Sequence, residues 1–391
     1  MITVDEAIAI LEKNTQTLPT QILALTKAQG MVLAEDVMSP IDMPSFDQSA
    51  MDGYAFSFVD NENTYKVIGE VAAGSPNNPS LKPGEGVRIF TGAMVPDDAN
   101  IVVQQEWIER EGDFATITEK VEVGKNIRPK GEQIKNGEVA LEKGQVLNPA
   151  AIGFLSGLGV VAVKVYRKPN VVIITTGNEL VPPGNQLRPG QIYESNSYML
   201  EAALAQEQLA VQLLTVADSY EETLKKIKQA VKEADLLLLT GGISVGEYDF
   251  VGKALHELGT TELFYKVKQK PGKPLFAGRL EETMVMALPG NPAAALNCYY
   301  IYVLPALEKM MGFGFKGLLS GKVRLVNEVK KKAGRAHFLK ARIHNDGAEI
   351  LQGQSSAMLR SFAQANALVY LPAANEGANA GEEVKVFYLK A

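Results

Sequence analysis

The chain holds one cysteine, Cys298, and one tryptophan in 391 residues. A single thiol excludes an internal disulfide framework and fits a reducing compartment. Cys298 follows a run of small apolar residues and reads as a packed thiol, because free cysteine is usually buried. Histidine is scarce. His256, His337 and His344 show no HxxxH spacing, and no CxxC occurs, which argues against a His/Cys transition-metal centre. GxxxxGK[ST] is also missing, so a Walker-type nucleotide site is not expected. There is no basic block and no interleaving of aromatic with basic residues. With 39 Lys and Arg against 45 Asp and Glu, the net charge is −6, and nucleic acid is not an expected partner. The longest charge-free apolar run, residues 147–163, is interrupted by Pro149, Gly153, Gly157 and Gly159. It reads as helix, turn and strand, not as a membrane span. Asp5 and Glu6 come early in an amphipathic opening segment, which is unlike a signal peptide. A soluble, cytoplasmic protein with no membrane contact is expected.

What is present points to several domains. Hydrophobic residues make up 46% of the chain, enough for sizeable cores, and roughly 150 residues per domain suggests two to four domains. Residues 1 to about 40 hold a helix, with Val4, Ala7, Ile8 and Leu11 on one face, and a strand-like piece. From about 43 to 123 short alternating segments between Gly, Pro and Asp breaks predict a β-rich part. From Pro169 strands alternate with helices: NVVIITTGNEL, SNSYMLEAALAQEQ, AVQLLTVAD, EETLKKIKQAVKEA, DLLLLTGG, ETMVMALPG and a long apolar helix from Pro292. This rhythm predicts a mainly parallel sheet with ligands at the carboxyl ends of its strands. Short alternating strands return from Leu318, predicting a C-terminal β domain.

Five loops carry chemistry-bearing residues, and each also has a plain structural reading. SFDQSAMDGYAF (45–56) brings Asp47, Ser49 and Asp52 into an aromatic setting, though Asp-Gly is ordinary turn chemistry. RIFTGAMVPDDAN (88–100) presents Thr91 at the end of a strand, and read alone it is a hairpin-type loop. TTGNELVPPG (175–184) puts Glu179 where α/β sheets bind ligands. DLLLLTGGISVGEYDF (235–250) runs from a buried strand through Thr240, Gly241 and Gly242 to Ser244, a candidate cap for a helix starting near Glu247. Such a junction suits an anion, yet Glu247 and Asp249 sit there too, and acids in a first helical turn also serve as plain capping. KQKPGKPLF (268–276) clusters Lys268, Lys270 and Lys273 around Pro271-Gly272, either as a solvated loop or as a stiff loop holding ammonium groups near an anion. LPGNPAAA (288–295) adds Asn291, with Pro292 suited to the first helical position.

Taken together, donors and lysines for an oxyanion or phosphate lie beside carboxylates at strand ends, namely Glu179, Asp218 and Asp249. Carboxylate beside phosphate is repulsive unless a cation lies between them, and Mg²⁺ takes oxygen ligands while bridging to phosphates. The residues therefore predict an oxyanion and phosphate site with Mg²⁺.

The blocks SFDQSAMDGYA, GEVAAG, RIFTGAMVPDDANIVVQQE, NIRPKGEQI, TTGNEL, GQIYESNSYML, LLLLTGGISVGEYDF, KPGKPLF and LPGNP, in this order over essentially the whole chain, resemble the molybdopterin molybdenumtransferase family (MoeA type), related to the C-terminal domain of gephyrin. The resemblance implies Mg²⁺-dependent insertion of molybdate into adenylylated molybdopterin, with release of AMP. It implies an elongated, multidomain α/β and β fold in a homodimer. The first domain would be discontinuous (1–42 and 125–167), the second a β-rich insertion (43–124), the third a central α/β molybdopterin-binding domain (168–312) and the fourth a C-terminal β-barrel (313–391). Carried over by motif, Asp52, Thr91, Glu179, Asp218 and Asp249 would be catalytic, the last three as metal ligands. Gly241, Gly242, Ser244, Lys270, Lys273, Asn291, Arg335 and Ser355 or Ser356 would bind substrate. In family dimers the cleft joins the β-rich insertion of one chain to the α/β domain of the other.

Two positions depart from the pattern. Gln133 stands where the family often has an acid, and Lys130 replaces a frequent Arg, keeping charge but losing bidentate geometry. Molybdopterin adenylyltransferase and a non-catalytic gephyrin-like scaffold are the alternative functions. Molybdate and tungstate are not distinguished by any residue. A molybdopterin adenylyltransferase, and molybdoenzymes or their chaperones, are the further partners the resemblance suggests.

Overall fold

The computed structural model describes residues 1–241 and 250–390. Gly242, Ser244, Glu247 and Asp249 of the glycine loop lie outside the described residues. The chain divides into two compact units, one of residues 22–165 and one of residues 1–21 with 166–391.

The larger unit is built on a six-stranded sheet. Its spatial order is Val211–Val216, Val171–Thr176, Leu236–Thr240, Thr283–Leu288, Phe276–Leu280, Thr261–Tyr265. The first four strands are parallel and the last two join antiparallel. Apolar runs without polar alternation are what a sheet covered on both faces requires. Val171, Ile173, Leu236 and Leu238 enter one core, while Val172, Ile174, Leu237 and Leu239 enter the other. The chain order reverses between Val171–Thr176 and Leu236–Thr240, so the crevice outside their carboxyl ends is the switch point where such sheets take ligands.

The opening helix Val4–Asn14 also belongs to this unit. Thr3 and Glu6 cap it reciprocally, and Val4, Ala7 and Leu11 pack into the first core. The long apolar helix is not uniform: α-helix Pro292–Cys298 passes through a π-helical turn, Tyr299–Val303, into α-helix Leu304–Met310. Pro305 explains the wide turn, since it has no N–H to donate and its ring clashes with the carbonyl four residues back.

The C-terminal strands form a curled sheet. Ala336–His344 pairs with Ala367–Leu371, that strand with Glu383–Tyr388, and the last with Ser320–Arg324. A bridge from Leu325 to Ala348, on the hairpin partner Gly347–Ile350, brings the ends together. Leu325, Leu339, Ala341, Val369, Val384 and Val386 fill the interior.

The smaller unit carries its own six-stranded sheet, in the order Ile101–Gln104, Gly53–Phe56, Glu85–Ile89, Thr64–Val71, Phe114–Ile117, Ile108–Glu111. Among the described residues no helix is long and apolar enough to cross a membrane. The fold is thus the multidomain combination of α/β and β parts expected from the strand and helix rhythm.

Candidate functional site

The smaller unit presents Asp52 and Thr91 together. Asp52 sits in the tight bend before strand Gly53–Phe56, and Thr91 just past strand Glu85–Ile89, its neighbour in the sheet. The loops are zipped to each other: the Gly92 N–H donates to the Ser49 carbonyl at 2.9 Å and the Ser49 N–H to the Ala93 carbonyl at 2.9 Å. Asp52 Oδ1 accepts the Thr91 N–H at 2.7 Å and the Thr91 hydroxyl at 2.8 Å. These two donors, with Arg88 nearby, hold the carboxyl below its ordinary range although it is exposed. Arg88 was not evident from the sequence. It donates to the Gly53 carbonyl at 3.3 Å and to Gln105 Oε1 at 2.6 Å, and its guanidinium lies over the Tyr54 and Phe90 rings. The sequence signal for it was only a charged residue within an apolar strand.

The two departing positions also lie in this unit. Gln133 and Glu132 line a cavity of about 580 Å³ together with Arg128, Gln48 and Phe46. Lys130 pairs with Asp42 at 3.4 Å, and its N–H donates to Asp47 Oδ1 at 2.8 Å.

In the larger unit the strand ends gather the other candidates. Beyond strand Val171–Thr176 the Asn178 N–H donates to Asp218 Oδ2, and the Asp218 N–H returns to Asn178 Oδ1, both at 3.1 Å. Glu179 is the next residue, so two carboxylates stand on neighbouring loops. Among the described residues no group of three His, Cys, Asp or Glu side chains could hold a metal ion. Two carboxylates on neighbouring loops still suit Mg²⁺, which accepts one or two protein carboxylates and completes its octahedron with water and phosphate. Gly241 has φ +85°, and a Cβ there would meet the Thr176 carbonyl oxygen at 2.3 Å, so only glycine fits against the end of strand Val171–Thr176. Asn196 supplies a residue the sequence reading missed: its Nδ2 donates to Thr240 Oγ1 at 2.7 Å and to the Gly290 carbonyl at 2.8 Å, tying three strand-end loops together. Its signal was only its place at the start of helix Asn196–Gln206.

Lys270 and Lys273 are exposed on the turn between strands Thr261–Tyr265 and Phe276–Leu280. The pair Gln269–Lys270 runs parallel to Ala336 and His337 of the curled sheet. A cavity of about 460 Å³ opens there, lined by Lys270, Lys330, Lys331, Lys332, Ala333, Arg335 and His337. Five of its side chains are cationic and none is acidic. Burial, then Lys331, Lys270 and Arg335, push His337 down to about 4. The Lys331 ammonium donates to the Arg335 carbonyl at 3.0 Å, closing the turn that carries Arg335. The lysine tract and His337 were not among the expected residues.

Asn291 Nδ2 donates to Ser356 Oγ at 2.9 Å, so the hydroxyl facing Asn291 belongs to Ser356. Ser355 instead offers its carbonyl to Lys340 Nζ at 3.2 Å. Lys340 is 3% exposed and also donates to the carbonyls of Gly353 at 2.7 Å and Met358 at 3.1 Å. Cys298 is buried, as its setting suggested, and burial pushes its thiol up.

Comparisons with known proteins agree along the full chain. Residues 2–159 match the family model of the MoeA N-terminal region (domain I and II), residues 172–309 the model described as "Probable molybdopterin binding domain", and residues 322–389 the MoeA C-terminal region (domain IV). A molybdopterin molybdenumtransferase of Haemophilus influenzae is 36% identical over 399 residues, covering 99% of this chain and 98% of that protein. One of Staphylococcus aureus is 33% identical over 400 residues, covering 98% and 95%. The crystal structure of a molybdopterin biosynthesis MoeA protein from Pyrococcus horikoshii superposes with a TM-score of 0.87 at 31% identity, covering 100% of both chains. The chain therefore belongs to the MoeA family, whose bacterial relatives are molybdopterin molybdenumtransferases.

Proposed function

We propose that this protein is a molybdopterin molybdenumtransferase that inserts molybdate into adenylylated molybdopterin and releases AMP in an Mg²⁺-dependent reaction. Family membership supports the enzyme class. The observation that carries the choice of an oxyanion substrate is the cavity beside Lys270, with five cationic side chains and no acid in its lining. Lys331 is taken up by backbone carbonyls and Lys330 is paired with Glu328 at 3.4 Å, which leaves Lys270, Lys332 and Arg335 to attract a small, doubly charged anion. Lys270, Lys273 and Arg335 bind and orient molybdate in this reading, with Asn291 and the Ser355–356 segment at the margin.

Glu179 and Asp218 would hold Mg²⁺, joined by Asp249 from outside the described residues, and Gly241, Gly242 and Ser244 would bind phosphate. Bound Mg²⁺ supplies charge neutralisation of the phosphates and polarisation of the phosphoanhydride bond whose hydrolysis yields AMP. Asp52 keeps its charge and is held by Thr91, which suits orienting a water or a thiol proton of the substrate. Asn196 fixes the loops between which the substrate lies. The four-part division at residues 1–42 with 125–167, 43–124, 168–312 and 313–391 belongs to the same proposal, as do the homodimer, the cytoplasmic setting and hand-over from an adenylyltransferase to molybdoenzymes.

The test is reconstitution. The protein, adenylylated molybdopterin, molybdate and Mg²⁺ are mixed with the metal-free form of a molybdenum enzyme, and the activity of that enzyme is read. Activity that needs the wild-type protein and falls with Lys270→Ala supports the proposal. Consumption of ATP with metal-free pterin, and no reconstitution, would replace it with the adenylyltransferase reading.

A further inference from the structure

Lys270 and Lys273 lie on a loop whose buried side carries an unexpected polar group. Along residues 268–273 the exposed positions are all lysine, while Gln269, Pro271 and Gly272 are buried. Gln269 is 0% exposed. A buried amide costs several kcal/mol unless its hydrogen bonds are made. Here both N–H donors and the carbonyl oxygen find a partner. Gln269 Nε2 donates to the Gly272 carbonyl at 2.9 Å and to Cys298 Sγ at 3.5 Å, and the Tyr302 hydroxyl donates to Gln269 Oε1. The Cys298 thiol points at the same Gly272 carbonyl, at 3.8 Å.

The remaining backbone of the loop is fixed from other directions. The Val267 N–H donates to the Lys273 carbonyl at 3.0 Å, the Gln269 N–H to the Val267 carbonyl at 2.8 Å, and the Ala336 N–H to the Lys268 carbonyl at 2.9 Å. Gly272 has φ +88°, and a Cβ would lie 2.5 Å from Cys298 Sγ and 2.8 Å from Gln269 Nε2. The loop is therefore pressed onto the helical segment with no room for a side chain at its apex. Tyr302 reaches it from the π-helical turn Tyr299–Val303. By contrast, neither lysine ammonium makes a hydrogen bond or ion pair with the described residues.

We infer that Gln269, held by Tyr302, is a positioning residue for anion capture: its buried amide fixes the turn that aims Lys270 and Lys273. An apolar side chain would fill the same space without fixing the Gly272 carbonyl, so the polar choice has a directional consequence. The inference rests on the reading that the two lysines bind the oxyanion.

The test uses the full chain and molybdate alone as probe, titrated calorimetrically well below the unfolding temperature. The variants are Gln269→Met, Tyr302→Phe and Lys270→Ala/Lys273→Ala, with Gln269→Met also placed on the double-lysine background. Loss of an outer partner that orients a metal ligand commonly costs about tenfold or more in metal affinity, and a comparable loss is expected for groups that aim at an anion. The expected result is a molybdate Kd raised about tenfold by Gln269→Met and less by Tyr302→Phe, with no further loss when Gln269→Met is added to the double-lysine variant. A role limited to stability would lower the unfolding temperature and leave Kd unchanged, and that result in both Gln269→Met and Tyr302→Phe overturns the inference while the double-lysine loss upholds the substrate reading. Wild-type affinity in the double-lysine variant overturns both. An equal loss on either background means general damage and also overturns it. Should Gln269→Met fail to fold, Tyr302→Phe, which removes one hydroxyl, decides alone.

Discussion

Asp52 and Thr91 share a single oxygen: Oδ1 of the carboxylate takes both the N–H and the hydroxyl of Thr91, at 2.7 and 2.8 Å. The pair fixes the carboxylate's direction on an exposed loop, and it keeps Asp52 charged below the ordinary carboxylate range. Asp52→Asn removes the charge with little change in shape. Turnover should fall by about 10²-fold or more, with the unfolding temperature close to wild type. Thr91→Val removes the hydroxyl donor and keeps the N–H. The acid limb of the pH–rate profile should then move to higher pH, because the charged form of Asp52 loses one of its two donors. An unmoved limb in Thr91→Val would detach Asp52 from the pH dependence.

His337 gives a second pH signature. Its folded-state value is pushed down from 6.5 to about 4, so the unfolded chain binds the proton first as pH falls. Stability from this residue is complete above about 6.5 and is lost between there and about 4. Thermal unfolding followed across this window should show the decline, and His337→Gln should lack that part of it. Anion binding in the adjoining cavity offsets the charge of Lys331, Lys270 and Arg335 but not the burial that is the larger cause, and so restores part of the proton affinity of His337. Molybdate binding should therefore take up protons just above pH 4 in wild type and not in His337→Gln, and should tighten as pH falls. Calorimetry in buffers of different ionisation enthalpy measures the uptake; none in wild type would separate His337 from the anion site.

Lys340 satisfies three carbonyls from inside the protein. Lys340→Met fills much of the same volume but removes one donor from each carbonyl, leaving Gly353 and Met358 to the Ser361 hydroxyl and Ser355 to the Met358 N–H. Hydrogen bonds from a charged donor contribute about 1.5–3 kcal/mol, and each carbonyl keeps a second donor, so a loss of about 1–2 kcal/mol is expected. Hydrogen exchange should show it first in residues 353–358. Protection unchanged in that segment would mean the loop does not depend on Lys340.

Gly241 and Gly259 separate steric from conformational cost. Both have positive φ, at 85° and 79°, but a Cβ on Gly259 meets nothing within 4 Å, whereas on Gly241 it meets the Thr176 carbonyl at 2.3 Å. Gly259→Ala should cost about 1 kcal/mol, the ordinary penalty of a left-handed alanine. Gly241→Ala should cost more and should abolish activity, since strand Val171–Thr176 must move at its carboxyl end. Equal unfolding temperatures for the two variants would contradict this.

The parallel strands were readable because both their faces are buried: every residue of Val171–Thr176 and Leu236–Thr240 is inside. Strands Thr261–Tyr265 and Phe276–Leu280 were less legible. Phe276–Leu280 contains a glycine and an arginine, and the lysine-rich turn between them drew attention as a loop. The pairing of Asp52 with Thr91 lay hidden in residues 39 positions apart, and each segment looked like a turn on its own. Gln269, Asn196 and Lys340 were invisible for a related reason. Their roles come from carbonyls and hydroxyls supplied by distant segments, which neither periodicity nor propensity reports. The π-helical turn had one local clue, Pro305, inside a pattern otherwise uniformly apolar.

The most direct measurement is AMP release from adenylylated molybdopterin, with and without molybdate and with and without Mg²⁺. The account predicts release only when both are present, and its loss in Asp52→Asn. Release with Mg²⁺ and no molybdate would contradict it, because cleavage of the adenylate would then be independent of the anion that Lys270, Lys273 and Arg335 are proposed to hold.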